Sequence, residues 1–169
     1  LKTEYELKEK GLEQQYFFPT YRGKEIDRYH LRKNAELLFY PYALTDGKTI
    51  PISETVLKKS CPNLFRYLKQ NLEIINKRSY FVASTKKWYE LWNQRDLSIF
   101  LGDKIITPEL SEKNRFTIAA PNTFYGDTVC GILIKDDFKS KLNSRYLLAI
   151  LNSWLIEWFY KKTTVPKAG

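Results

Sequence analysis

Short strand-like runs and longer stretches of helical spacing alternate along this chain. Runs of apolar, β-branched and aromatic residues that end at turn residues are typical of strands. Such runs occupy residues 37–42, 49–52, 98–101, 104–108, 116–120 and 128–134. Asp46-Gly47 separates the first two runs and is a strong signal for a tight hairpin turn. A second turn is expected at Gly126, between the last two runs.

Helix signals occupy the intervals between these runs. The predicted helices cover residues 3–16, 53–59, 62–78 and 144–160. Ser53 and Ser144 are good N-cap residues, and Pro62 is tolerated at the first position of a helix. The last segment is the most apolar, but it is too short and too polar at its centre to cross a membrane. Strands and helices without a regular βαβ alternation predict an α+β fold. We expect small mixed or antiparallel sheets, flanked by helices, and a long buried C-terminal helix.

Composition limits the class of protein. The chain has 169 residues, of which 43% are hydrophobic and 15% aromatic, and this content excludes a disordered chain. Its net charge of +9 favours nucleic acid or an anionic membrane surface as the partner, although a generally basic protein would show the same excess. Cys61 and Cys130 are far apart and His30 is the single histidine, so no metal site is expected. We expect a cytoplasmic protein in which both cysteines are small buried thiols rather than a disulfide.

The motifs of catalysis are missing from the sequence. Neither GxGxxG nor GxxxxGK[ST] occurs, and a lone histidine in a charged segment does not support a Ser-His-Asp triad. Residues 109–113 contain carboxylates and a lysine, the residue types that a metal-dependent nuclease needs. They follow Pro108 in a polar turn, however, and this position predicts a solvated loop. We therefore expect no catalytic residues and no cofactor in this chain.

Two blocks combine cations with aromatic rings, a pairing suited to phosphates and bases. Residues 21–29 contain Arg22, Lys24, Arg28 and Tyr29 around Gly23, a glycine that would let the backbone approach a ligand. The alternative is a solvated turn with Ile26 and Tyr29 packed inward. The second block is Lys86-Lys87-Trp88-Tyr89. In its alternative, Trp88 belongs to the core together with Leu91 and Trp92 at helical spacing.

The order of these blocks carries more information than any single one. The chain presents, in succession, PTYRGKEIDRY, LLFYPY, CPNLFRYLKQNLEIINKR, KKWYELW, DKIITPEL, FYGDT and YLLAILNSWLIEWFY. This series, over residues 19–162, resembles the TaqI-like C-terminal specificity domain of adenine-specific DNA methyltransferases and fused type IIG restriction-modification enzymes. Lys104, in the block DKIITPEL, joins the candidate DNA contacts.

The resemblance implies a target-recognition domain that binds double-stranded DNA and is not catalytic alone. Methylation of a flipped adenine, with S-adenosylmethionine as cofactor, would belong to a separate catalytic domain of the same polypeptide. We expect residues 1–18 to lead in from that domain and residues 19–169 to form the specificity domain, cut short at its C-terminus. The alternative is a protein–protein interaction module in which aromatic residues build the interface and the positive charge serves an acidic partner.

Overall fold

The computed structural model of the chain describes residues 3–32, 36–77 and 85–163. Within these ranges the helices are α1 (Glu4–Glu9), α2 (Glu54–Ser60), α3 (Pro62–Gln70), α4 (Leu72–Asn76), α5 (Ser98–Leu101), α6 (Asp136–Lys139), α7 (Ser144–Leu151) and α8 (Trp154–Thr163). The strands are β1 (Phe17–Tyr21), β2 (Ile26–Asp27), β3 (His30–Leu31), β4 (Glu36–Phe39), β5 (Tyr42–Thr45), β6 (Lys48–Pro51), β7 (Lys104–Pro108), β8 (Thr117–Ala119), β9 (Phe124–Tyr125) and β10 (Val129–Ile132). Short helices and small sheets of this kind confirm the α+β class.

The chain divides into two compact units, each built from two separate stretches of sequence. The first comprises the described residues of Leu1–Phe18 and Leu37–Ile99, and the second comprises those of Pro19–Glu36 and Phe100–Gly169. Each unit has its own hydrophobic cluster.

The first unit contains the predicted hairpin. β5 and β6 pair in antiparallel fashion from Tyr42↔Pro51 to Thr45↔Lys48, and the turn residues Asp46 and Gly47 have φ values of 50° and 72°. Two positive φ values in a two-residue loop explain why Asp-Gly stands there. The Ser53 side chain accepts a hydrogen bond from the amide of Val56 and caps α2, and Pro62 opens α3, as the sequence predicts.

The core of the first unit lies between α1, α2, α3 and the segment near residue 89. Its buried members are Leu7, Leu12, Tyr16, Ile52, Leu57, Cys61, Leu64 and Tyr89. Glu13 ties the N-terminal segment to this core because its carboxylate accepts hydrogen bonds from the amides of Asn63 and Leu64, at 3.1 and 2.8 Å. These amides belong to the first turn of α3, so Glu13 satisfies the free N–H groups of that helix from outside it.

The second unit is built on a three-stranded antiparallel sheet with β7 in the centre and β10 and β8 at its sides. The short hairpin of β2 and β3 packs on this sheet through Ile26, which is fully buried with Ile106, Ala119 and Val129. α7 packs against β7 and β8. β9 pairs in parallel with the end of β1. The central strand thus supports both the hairpin and the C-terminal helices.

Several expectations need correction. The predicted helix over 3–16 is only the short helix α1, which ends at Glu9 ahead of Gly11 with its φ of 59°. The run 98–101 is the short helix α5, not a strand, and the predicted helix over 62–78 is interrupted at Asn71 between α3 and α4. Cys61 is buried as expected, but Cys130 is exposed, and both are free thiols. Cys130 faces outward because its neighbour Val129, on the opposite face of β10, packs into the core.

The C-terminal segment is helical, but it is not one long buried helix. It is interrupted at Asn152-Ser153 into α7 and α8, and Asn143 rather than Ser144 is the N-cap residue. Its exposed large side chains are Tyr146, Ile150, Trp154, Leu155, Trp158 and Phe159. No helix in the described ranges has the length and apolar character needed to cross a membrane.

Candidate nucleic-acid interface

A cationic cavity of about 580 Å³ lies on the second unit, and we call it the basic pocket. Four positively charged residues line it, from three separate parts of the sequence: Arg22, Lys24, Arg32 and Arg115. Glu109 is the one carboxylate among its lining residues, and Gly23, Pro108, Leu110 and Thr128 complete the lining. Glu36 and Asp27 offset part of this charge through ion pairs with Arg22 and Arg32, and the excess positive charge that is left on this concave surface attracts phosphate groups.

Gly23 builds one wall of the basic pocket by packing against the end of the sheet. Its amide donates a hydrogen bond to Thr128 Oγ1 at 3.1 Å. A Cβ atom at this position would lie 2.9 Å from the carbonyl oxygen of Thr128 and 3.3 Å from Cβ of Pro108. The glycine is therefore needed for the close approach of two backbone segments, and its φ lies outside the left-handed region.

Two of the four cations are held by carboxylates. Arg22 Nη2 lies 2.7 Å from Glu36 Oε2, and Arg32 Nε lies 3.0 Å from Asp27 Oδ2. The hydrogen bond from Arg32 holds the pKa of Asp27 below its usual value. Because each pair is exposed, it fixes the guanidinium at little energetic cost and leaves donors free for a ligand.

The other two cations lack carboxylate partners in the part of the chain that the structure describes. Lys24 is exposed beside the short 3₁₀ turn Gly23–Glu25. Arg115 is half-buried and held in place, with Nε donating to Ser111 Oγ at 2.9 Å and Nη1 donating to the carbonyl of Ile26 at 3.3 Å. An immobilised guanidinium loses little conformational entropy when it binds an anion.

The sequence predicted only half of this set. Arg22 and Lys24 lie in the block that sequence analysis selected, but Arg32 and Arg115 were missed. Arg32 follows that block by three residues, and a wider window would have included it. Arg115 lies in a polar loop before β8, and no local pattern distinguishes it from other surface arginines. The long-range packing of the β2–β3 hairpin on the sheet brings it to the pocket.

Arg28 and Tyr29 form the tip of the β2–β3 hairpin. Arg28 pairs with Glu157 of α8, and its Nε donates to the carbonyl of Asn114 at 3.3 Å. Tyr29 is 55% exposed and has a φ of 64°. The alternative of an inward-packed turn therefore describes Ile26, which is buried, but not Tyr29. Whether these two residues contact DNA stays a prediction.

Lys104 is buried, with 2% of its surface exposed, on the central strand β7. Its Nζ donates to the carbonyls of Phe100, Gly102 and Ala120 at 3.2, 3.0 and 3.4 Å. Burial lowers the pKa of Lys104 to about 8, although Asp103 favours the charged form. The three carbonyls use all three ammonium donors, so the predicted DNA contact by Lys104 has no geometric support.

The second candidate block lies on the first unit, in a segment without regular structure. Trp88 is half-buried, its ring centroid 5.1 Å from that of Tyr89, and its Nε1 donates to Glu54 at 3.3 Å. Lys86 Nζ donates to the carbonyls of Leu91 and Trp92. Lys87 is exposed, with Nζ 5.9 Å from the Tyr89 ring centroid.

This geometry favours the alternative in which Trp88 packs on the core, although Trp92 is 53% exposed and is not part of it. Among the described residues, no group of three or more histidine, cysteine or acidic side chains is arranged to hold a metal ion.

A family model for the TaqI-like C-terminal specificity domain matches residues 18–169. The chain belongs to this family. Specificity domains of this family serve DNA target recognition in restriction-modification enzymes. Membership therefore makes DNA the relevant ligand to consider for the basic pocket. In this specificity domain the family-like segment 19–29 runs from β1 through the pocket to the hairpin tip.

The segment Leu151-Asn152-Ser153 of the specificity domain has a structural role at the break between α7 and α8. The Asn152 side chain is 3% exposed and bonds both main-chain groups of Phe116, accepting from its amide at 3.0 Å and donating to its carbonyl at 2.8 Å. Ser153 Oγ accepts from the amide of Ile156 in the first turn of α8. Asn152 thereby fixes the loop that carries Arg115.

Proposed function

We propose that this chain binds double-stranded DNA sequence-specifically, as the target-recognition domain of an adenine-specific DNA methyltransferase or a fused type IIG restriction-modification enzyme. The single observation that carries this proposal is the basic pocket in a member of the specificity-domain family. Transfer of the methyl group from S-adenosylmethionine would belong to a separate catalytic domain of a bacterial, cytoplasmic parent polypeptide.

The size and charge of the basic pocket suit a segment of DNA backbone. A volume of about 580 Å³ exceeds what one phosphate group needs, and its four cations come from three separate parts of the sequence. Each cation that contacts a phosphate releases counterions from the DNA, which produces affinity that falls steeply with salt. These contacts would set the position of the domain on the duplex and would not by themselves select a sequence.

A firm grip on the backbone is also what base flipping requires. Extrusion of an adenine costs a few kcal/mol of stacking and pairing, and contacts elsewhere on the duplex must offset that cost. In this proposal the specificity domain supplies those contacts, while the catalytic domain receives the extruded base.

Charge reversal in the pocket tests this proposal. Lys24→Glu should weaken binding to a random-sequence duplex several-fold and reduce the slope of log affinity against log salt by about one, because one phosphate contact is lost. Arg22→Glu should do the same. Lys58→Glu is the matched control, since it makes the same change of charge at an exposed site on the first unit. Equal affinity and equal slope for Lys24→Glu, Arg22→Glu and the wild type would exclude the basic pocket as the DNA surface.

A second candidate function, protein binding, is favoured by the exposed side chains of α7 and α8. Tyr146, Trp154 and Leu155 are 64%, 77% and 65% exposed, and large aromatic residues are enriched at protein interfaces. Within the main proposal this surface would pack against the catalytic domain of the same polypeptide. If the chain fails to bind any duplex at low salt, protein binding becomes the better account.

A further inference from the structure

The tip of the β2–β3 hairpin carries an exposed tyrosine in a backbone conformation that favours glycine. Asp27 and His30 close the hairpin, so Arg28 and Tyr29 form its two-residue loop. Of these two only Tyr29 has a positive φ, at 64°. At the third position of a turn a positive φ selects glycine or asparagine, and a bulky residue there is unusual. Burial does not explain the choice, because the side chain is 55% exposed.

The surrounding structure holds this turn firmly. The amide of Tyr29 donates to the carbonyl of Phe116 at 2.9 Å, and the Asn152 side chain fixes both main-chain groups of Phe116. On the other side of the loop, Arg28 is tied to Glu157 and to the carbonyl of Asn114. A strained conformation that its surroundings over-determine is a feature of functional sites rather than of ordinary surface turns.

The same two segments carry two of the four cations of the basic pocket. Arg32 directly follows β3 of the hairpin, and Arg115 directly precedes the Phe116 that holds Tyr29. Tyr29 and two cations of the basic pocket therefore lie on the same two hydrogen-bonded segments. If the pocket holds the backbone of a duplex, a ring on the same segments is placed to meet the bases.

We propose that Tyr29 is a base-contacting residue of this specificity domain, and that its ring enters a groove of the target beside the backbone segment held in the basic pocket. This inference rests on the proposed function. Arg28, Asn114 and Asn152 are positioning residues, since Arg28 bonds to Glu157 and to the Asn114 carbonyl, and Asn152 fixes the Phe116 carbonyl that holds the turn.

The substitution Tyr29→Asn separates this role from a structural one. Asparagine tolerates a positive φ, so the variant should fold with an unchanged or raised melting temperature. Both proteins are used to select duplexes from a random-sequence pool, and the bound fraction is sequenced. The wild type should enrich a defined sequence, whereas Tyr29→Asn should lose roughly five- to a hundredfold of the preference at one or two base pairs. Its affinity for unselected duplex and its salt slope should stay unchanged.

Tyr5→Asn is the control, because Tyr5 is also exposed, on α1 of the first unit. It should leave the enriched sequence unchanged, and Tyr29→Gly should reproduce the result of Tyr29→Asn. A folded Tyr29→Asn variant that enriches the wild-type sequence with undiminished preference would overturn the inference and leave the proposed function standing. A marked fall in the melting temperature would also overturn it, because the ring would then serve packing. If the wild type enriches no sequence, the proposed function itself fails.

Discussion

At the scale of single residues, Lys104 shows how a buried charged group is satisfied in the interior of this protein. Three carbonyls accept hydrogen bonds from its ammonium, and one of them, Phe100, lies in α5. The ring of Phe100 also stacks on that of Phe124, with ring centroids 4.1 Å apart. The hydrogen bond from Lys104 to the Phe100 carbonyl therefore joins α5 to the central strand β7.

Lys104 should make stability depend on pH in the alkaline range. Burial lowers its pKa from 10.5 to about 8, so between these values the unfolded chain binds more protons than the folded one. The contribution of Lys104 to the free energy of unfolding should therefore rise by about 1–3 kcal/mol across this window, whereas the Cys61 thiol, whose pKa burial raises, contributes a fall in the same window. Urea unfolding at several pH values between 8 and 10 should therefore show that the free energy of unfolding of the wild type rises relative to that of Lys104→Met.

Two buried tyrosines limit the pH range in which the contribution of Lys104 can be measured. Burial raises the pKa of Tyr40 and of Tyr89 to about 12, so their contribution to stability decreases as the pH exceeds 10. The measurement is therefore confined to lower pH. Lys141→Met, at an exposed lysine, is the control and should keep the wild-type slope. A wild-type slope in Lys104→Met would contradict the assignment.

At the scale of elements, the break between α7 and α8 is caused by a side chain that bonds elsewhere. Asn152 uses its amide group to pair with the main chain of Phe116, in the manner of a neighbouring strand. The same interaction supports the Arg115 side of the basic pocket and the turn at Tyr29. A helix break at this point is therefore part of the construction of the candidate interface.

Asn152→Ala should destabilise the second unit by about 2–4 kcal/mol, because it leaves the Phe116 amide without an acceptor and removes one of the two hydrogen bonds to the Phe116 carbonyl, which keeps the bond from Tyr29. Chemical denaturation followed by circular dichroism measures this loss. Asn143→Ala makes the same substitution at an exposed N-cap residue and should cost only about 1 kcal/mol. Similar losses for the two variants would show that the bonds to Phe116 contribute little.

The elements that the sequence predicted correctly are those with local causes. The Asp46-Gly47 hairpin, the Ser53 cap and the start of α3 at Pro62 each depend on the conformational preferences of a few adjacent residues. The helix α5 was mistaken for a strand because the short run Ser98–Leu101, with only three apolar residues, shows no distinguishing period. The interruption at Asn152 could not be predicted, since its partner Phe116 lies 36 residues away.

The candidate site shows the same difference between features with local causes and features that depend on tertiary packing. Arg22 and Lys24 were found because they stand together in one block, whereas Arg115 reaches the pocket through tertiary packing. Lys104 was selected for its charge, and the sequence gives no sign that it is buried. Tyr29 was selected for its ring, but its left-handed backbone, which carries the further inference, is visible only in the structure.

At the scale of the whole molecule, the net charge of +9 is divided almost evenly between the two units. Residues 1–18 and 37–99 carry a net charge of +4, and residues 19–36 and 100–169 carry +5. The second unit differs in that four of its cations line one cavity, the basic pocket, whereas in the first unit Lys86 donates to carbonyls, Lys69 pairs with Glu54, and Lys58 and Lys87 are exposed. The first unit instead presents an apolar cavity of about 310 Å³, lined by residues that include Phe17, Leu37 and Tyr67. Because its four cations line one cavity, we propose the basic pocket of the second unit as the DNA surface.

The central claim, that this chain recognises a DNA target, is tested most directly by competition between two duplexes. One carries the sequence that the wild-type chain enriches from a random pool, and the other carries the same bases in scrambled order. At a fixed salt concentration of ~0.15 M, the account predicts that the enriched duplex binds at least about tenfold more tightly. Equal affinity for the two duplexes, or failure of the pool to yield any preferred sequence, would contradict it.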